Sequence, residues 1–167
     1  HLAVFVPPLF LLYPGRKNSP MDRPSWVDWL WAIAAAVPHL WVMWQAAAVA
    51  DRMEYVDPFG PLLVTLAVVT IVTLLEATRR VLGLPMVIVA TLFLVYTFAG
   101  PHMPDMLAHR GASLERAASH FWLTTEGVFG VALGVSSGFI FLFVLFGSLL
   151  DKAGAGNYFI KSAFALL

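Results

Sequence analysis

No cysteine occurs anywhere in the chain. That excludes a disulfide framework, a thiolate metal site and a cysteine nucleophile. Charge is scarce as well: Asp, Glu, Lys and Arg make up 12% of the residues, about half of what a soluble domain carries. The ten basic and ten acidic side chains cancel, so the whole chain offers no surface suited to nucleic acid and no strong preference for an acidic substrate. Also missing are a phosphate-cradling glycine loop, a nucleophile elbow, and paired carboxylates suited to acid–base chemistry. His102, His109 and His120 do not have the spacing of metal ligands. With neither a metal site nor a covalently bound cofactor indicated, the expectation is a protein that is not an enzyme.

What is abundant is apolar length. Hydrophobic residues make up 60% of the chain, and Gly127–Leu150 runs for 24 residues without a charged side chain. A hydrocarbon core of about 30 Å is crossed by about 20 helical residues, and soluble helices seldom stay apolar on every face for that length. The reading is an all-α, polytopic membrane bundle of about five transmembrane segments. These are His1–Tyr13, Trp26–Ala50, Pro61–Leu82, Gly83–Ala99 and Gly127–Leu150. Pro7 and Pro8 are expected to kink the first segment or mark its first turn, and Pro38 to bend the second. Trp26, Trp29 and Trp31 gather at one end of the second, where an amphipathic ring suits the membrane boundary.

The charges between segments set an orientation. Arg16, Lys17, Arg23, Arg79, Arg80, Lys152 and Lys161 fall on one side, seven against the three of Arg52, Arg110 and Arg116. By the positive-inside tendency the loop 14–25 is cytoplasmic and the connection 100–126 extracytoplasmic. Within that connection Ser113 caps a short amphipathic helix carrying Leu114, Ala117, Ala118, Phe121 and Trp122 on one face, expected to lie on the membrane surface. Gly154 and Gly156 are expected to break the helix after the fifth span, with a new amphipathic stretch from Asn157.

Four groups of residues stand out. Gly130, Gly134 and Gly138 form a stripe that lets another helix approach closely, or, with Ser136 and Ser137, lets a helix slide or unwind beside a transport path. Glu76 precedes Arg79 and Arg80 by three and four residues, the favourable order for helical ion pairs. They read either as interfacial side chains snorkelling to headgroups or as an internal pair locking helices together. His39, with Gln45 further along the same span, is an ionisable group inside a membrane helix, more commonly a hydrogen-bonded structural residue. Thr124, Thr125 and Glu126 directly precede the longest span. Glu126 either favours a helix N-terminus or faces a water-filled vestibule, and Thr125, Glu126, Ser136 and Ser137 are the transport-path candidates.

The stretch TTEGVFGVALGVSSGFIFLFVLFGSLLDKAGAG at 124–156 resembles the fused permeases of tripartite ATP-independent periplasmic (TRAP) transporters, above all those served by TAXI-type binding proteins. LAHRGASLERAASHFWL at 107–123 and LLEATRRVLGLPMVIVATLFLVY at 74–96 are similar too. The resemblance implies a fragment of a longer chain. Residues 1–104 would be most of the small scaffold domain with its first helix truncated, and residues 105–167 the truncated start of the large transport domain. It implies cation-gradient-driven solute uptake by a secondary active symporter in a bacterial or archaeal inner membrane. The partners would be a periplasmic TAXI-type solute-binding protein, the rest of the permease and the bilayer, with no nucleic acid. The coupling cation, sodium by family habit, is expected at re-entrant hairpins outside these residues. Pro7–Pro8 depart from the family pattern. The alternative is a non-transporting membrane assembly or anchoring subunit.

Overall fold

The computed structural model describes residues 1–13, 15, 24–52, 58–104 and 106–166. Among these no strand occurs, and the chain is a helical bundle. Arg16, Lys17 and Arg23, part of the charge asymmetry, lie outside the described residues. Two compact units are present, His1–Val128 and Phe129–Leu167. The first unit extends through Val128 because the helix Leu114–Leu123 within the 100–126 connection packs into it.

In the first unit, α1 (Leu2–Leu12) starts ahead of Pro7 and Pro8 and carries both within it. α2 (Trp26–Trp44) is capped by a reciprocal pair: Ser25 Oγ accepts from Val27 N, and Asp28 Oδ2 accepts from Ser25 N at 3.0 Å. Pro38 does not interrupt α2. The interruption comes at Gln45, after which α3 (Ala46–Ala50) completes the segment. The backbone ladder still crosses it, through Gln45 N to Trp41 O and Val49 N to Gln45 O.

α4 (Pro61–Val81) and α5 (Leu84–Ala99) form a hairpin closed at Gly83, whose φ of +88° only glycine adopts readily. A single 3₁₀ turn, Gly100–His102, extends α5. α2 and α4 pack together, with Ala32, Ala35 and Ala77 in one buried cluster and Ala67, Thr70 and Thr73 also buried on α4. Small side chains bring backbones close where lipid is as apolar as leucine. Thr70 and Thr73 return their hydroxyl hydrogens to Leu66 O and Thr70 O, so their burial leaves no donor unmet. α1 closes this seam with Val6 and Phe10, flanked by Trp31 and Leu74.

α6 (Leu114–Leu123) is capped by Ser113, whose Oγ accepts from Arg116 N. It does not lie apart on a surface: it packs against α4, with Ala117, Ala118 and Trp122 buried. Trp122 sits 6.3 Å from the Trp41 ring of α2, and Glu115 accepts from Phe59 N at 3.0 Å. The small alanine face suits contact with a neighbouring helix, whereas Leu114, placed on the same face by its spacing, remains exposed.

In the second unit the long span begins at Val131, not Gly127. α7 (Val131–Val135), a π-helical turn at Ser136–Ile140 and α8 (Phe141–Lys152) follow without a break. Gly154, at φ +76°, turns the chain into α9 (Ala155–Leu166). Gly156 is inside α9 rather than a breaker.

Among the described residues four helical stretches are long and apolar enough to cross a membrane: Trp26–Trp44, Pro61–Val81, Leu84–His102 and Val131–Lys152. α1, at 11 residues, is shorter. Leu92, Phe93, Phe139 and Phe143 are among many large apolar side chains facing outward, as lipid-exposed helix faces require.

Candidate functional site

The densest polar cluster joins α1, α2 and α4 around Arg80. Its guanidinium is buried and meets Asp28 Oδ1 at 2.7 Å and Glu76 Oε1 at 2.9 Å. Nη1 also donates to the carbonyls of Tyr13 at 2.9 Å and Phe10 at 3.2 Å, and the guanidinium lies over the Phe10 ring. Those carbonyls belong to the C-terminal end of α1, where helix geometry leaves oxygens unpaired and a cation is favoured. Asp28 stands in the first turn of α2, where an anion is favoured for the opposite reason. One arginine therefore bridges two helix ends of opposite polarity. Arg79 binds Glu76 bidentately, at 2.6 and 2.7 Å, and donates to Gly15 O at 3.1 Å. A methyl group at Gly15 would meet Arg80 Nη2 at 2.6 Å, so a side chain there would make the guanidinium shift.

Of the two readings of Glu76, Arg79 and Arg80, this geometry has the internal form at Arg80, while Arg79 remains partly exposed. Asp28 is the partner that the sequence reading missed. Its signal was the Ser25-x-x-Asp28 spacing, which marks a helix start. The two arginines and two carboxylates balance, leaving no net charge to attract an ion.

A second polar arrangement closes the connection after α5. His109 Nδ1 accepts from Gly111 N, so Nε2 carries the hydrogen and donates to Tyr96 O; both distances are 3.0 Å. The Tyr96 hydroxyl donates to Leu107 O, and Gly100 packs directly against the imidazole. His109 thereby folds the connection back onto the end of α5. Among the described residues no three His, Asp or Glu side chains cluster as metal ligands.

The third arrangement is the Thr124–Gly127 turn. Thr124 is buried; its hydroxyl donates to His120 O at 2.6 Å and accepts from Glu126 N at 3.3 Å. Gly127 lies against the carbonyls of His120 and Phe121, leaving no room for a side chain, and Val128 N donates to Phe121 O at 2.8 Å. These contacts stop α6 and delay the next helix, which accounts for the late start of the long span. Thr124 and Gly127 hold the turn, while Thr125 and Glu126 are exposed on it. Glu126 Oε2 is 3.8 Å from His120 Nε2. The carboxyl borders a groove of about 560 Å³ whose walls include Leu74 and Leu75 of α4, Phe93 and Leu94 of α5, and Phe121.

Ser136 and Ser137 belong to the second unit, so the four transport-path candidates divide between separately described bodies. Both serines are in the π-helical turn, and Ser137 Oγ donates back to Gly134 O at 3.2 Å. Gly130 is the residue before the helix rather than part of it. At Gly134 and Gly138 nothing lies within 4 Å of where a Cβ would stand, so the stripe is unoccupied among the described residues.

His39 is buried on α2 and donates from Nδ1 to Ala35 O at 2.6 Å. Its Nε2 and the Trp122 indole nitrogen are buried without a hydrogen-bond partner among the described residues.

The bundle and its buried ionic tie define a multi-pass helical membrane protein. No family model, curated protein or solved structure matches this chain.

Proposed function

We propose that this chain is part of the membrane permease of a TRAP-type uptake system in a bacterial or archaeal inner membrane. A periplasmic TAXI-type protein delivers the solute and a cation gradient, sodium by family habit, drives its entry. On this reading α1, α2, α4 and α5 belong to the scaffold and α6 onward to the start of the transport domain. No covalent bond is made or broken. The observation that carries the reading is the resemblance across 124–156.

Two local features support it. The Thr124–Gly127 turn leaves Thr125 and Glu126 exposed, Glu126 at the edge of a groove. The following span carries a π-helical turn at Ser136–Ile140, a form that recurs at functional positions in helices.

The test uses the full gene product in proteoliposomes, with a solute-loaded binding protein encoded beside it. The expected result is a current that requires both that protein and an inward sodium gradient. A coding frame that ends soon after Leu167, or a product that neither docks a binding protein nor passes charge, overturns the reading. It would leave a membrane assembly or anchoring subunit.

A further inference from the structure

The polar cluster around Arg80 has more hydrogen-bond donors than it uses. Arg79 engages Nε and Nη2 with Glu76 and Gly15, and its Nη1 has no partner among the described residues. In Arg80, Nε binds Glu76 and Nη1 serves Asp28 and the end of α1, while Nη2 has no partner among the described residues. The Ser25 hydroxyl accepts from Val27 N, and its own hydrogen goes to no described residue. All three side chains line one pocket of about 190 Å³, together with Gly15, Asp28 and Glu76. Gly15, having no side chain, leaves Arg80 Nη2 uncovered on its side.

Acceptor capacity is left over too. Glu76 Oε2 accepts a single bond, from Arg79 Nε, where a carboxylate oxygen has room for two. Glu76 is also the more exposed of the two carboxylates, at 16% against 4% for Asp28. The charges of the cluster sum to zero, so a bare ion of either sign gains nothing from net attraction. A ligand carrying both signs suits it instead, with an oxyanion for the unengaged donors and an ammonium for Glu76. The location narrows the ligand further. The pocket joins the first turn of α2 to the last turn of α4. Those helices are about 28 and 31 Å long at helical rise, close to the thickness of the hydrocarbon core, so their adjoining ends stand at a membrane boundary. Trp26 and Trp29, exposed in the same turn of α2, mark the headgroup level.

We propose that this pocket binds the headgroup of a zwitterionic phospholipid whose amine is primary. Arg79 Nη1 and the Ser25 hydroxyl donate to the phosphate oxygens, and the ammonium donates to Glu76 Oε2. The lipid then engages the same side chains that hold α1, α2 and α4 together, so its binding stabilises the bundle. The site does not depend on the permease reading.

The test is native mass spectrometry of the full gene product, released from detergent after equilibration with three phospholipids of matched acyl chains. These are phosphatidylethanolamine, phosphatidylcholine and phosphatidylglycerol in equal amounts. The ethanolamine lipid is expected to be retained in preference to the others, since choline has no N–H to donate and the glycerol headgroup brings a net negative charge. Equal retention of the three, or preference for either of the others, overturns the proposal. Arg79→Gln is expected to lower retention of the ethanolamine lipid about three- to tenfold, the effect of losing a partly screened ionic hydrogen bond; unchanged retention overturns the proposal. If that variant gives no folded protein, the selectivity of the unsubstituted protein still decides, and Gly15→Val, which crowds Arg80 Nη2 without removing a charge, should show the same loss. Soluble phosphoethanolamine is expected to leave the bound lipid in place. If it displaces the lipid at equal concentration, the ligand is a free phosphate ester and the lipid assignment is overturned.

Discussion

Arg80 satisfies three needs with one guanidinium: the unpaired carbonyls ending α1, the carboxylate opening α2, and Glu76 on its own helix. Removing its charge leaves Asp28 buried without its ionic partner. For Arg80→Met we expect a loss of about 3–5 kcal/mol, the usual result of breaking a buried pair from one side. The measurement is unfolding of the detergent-solubilised gene product. Arg80→Met with Asp28→Asn should recover much of that loss, because the amide oxygen can still accept from Ser25 N while the stranded charge is gone. Equal stability of the single and double variants would show that the Arg80–Asp28 contact carries little energy. At Gly127 the constraint is steric. Gly127→Ala places a methyl group against the carbonyls of His120 and Phe121, and we expect a loss of about 1–3 kcal/mol from overpacking. Thermal unfolding indistinguishable from the unsubstituted protein would mean that the turn has room to open.

At the scale of elements, the sequence was informative where lipid imposes a simple rule. Four of the apolar runs contain helices long enough to cross a membrane, because a spanning segment must stay apolar and satisfy its own backbone. The ends were less legible. Gly127 is apolar by hydropathy and extended the fifth run, yet backbone contact with α6 keeps it out of the helix, and Gly130 is the cap before the first helical residue. Hydropathy registers charge and says nothing of a close approach between main chains. Asp28 was hidden for a related reason. Its capping spacing is local, whereas its partner is 52 positions away and depends on how α2 meets α4. The Glu76–Arg79–Arg80 spacing was visible, but the burial of Arg80 was not. Similarly, the amphipathic pattern of α6 identified its apolar face without saying whether lipid or protein covers it. Ala118→Leu separates those cases. Against α4 the larger side chain overfills a site where Ala118 is 2% exposed, and we expect about 1–3 kcal/mol of destabilisation. A helix floating on the membrane would gain apolar area from the same change and lose no stability.

For the whole molecule, the unequal distribution of positive charge selects one of two opposite orientations. The argument needs no contact between distant parts: cytoplasmic loops retain Lys and Arg because moving them across the bilayer during insertion is unfavourable. Seven basic residues mark one side and three the other. Within the first unit the two sides are represented by the α4–α5 turn, next to Arg79 and Arg80, and by the connection containing His102. No cysteine lies within these residues, so a thiol introduced here reports orientation directly once any cysteine elsewhere in the gene product has been replaced. Both Leu82 and His102 are exposed. In intact cells whose outer membrane has been removed, His102→Cys should react with a membrane-impermeant maleimide, and Leu82→Cys should react only after the inner membrane is opened. The reverse pattern would place the loop 14–25 outside and the 100–126 connection in the cytoplasm. A periplasmic donor protein could then no longer meet that connection, so the orientation measurement also constrains the uptake reading. Labelling of both thiols in sealed cells would go further, showing that α5 does not cross the membrane despite its length and composition.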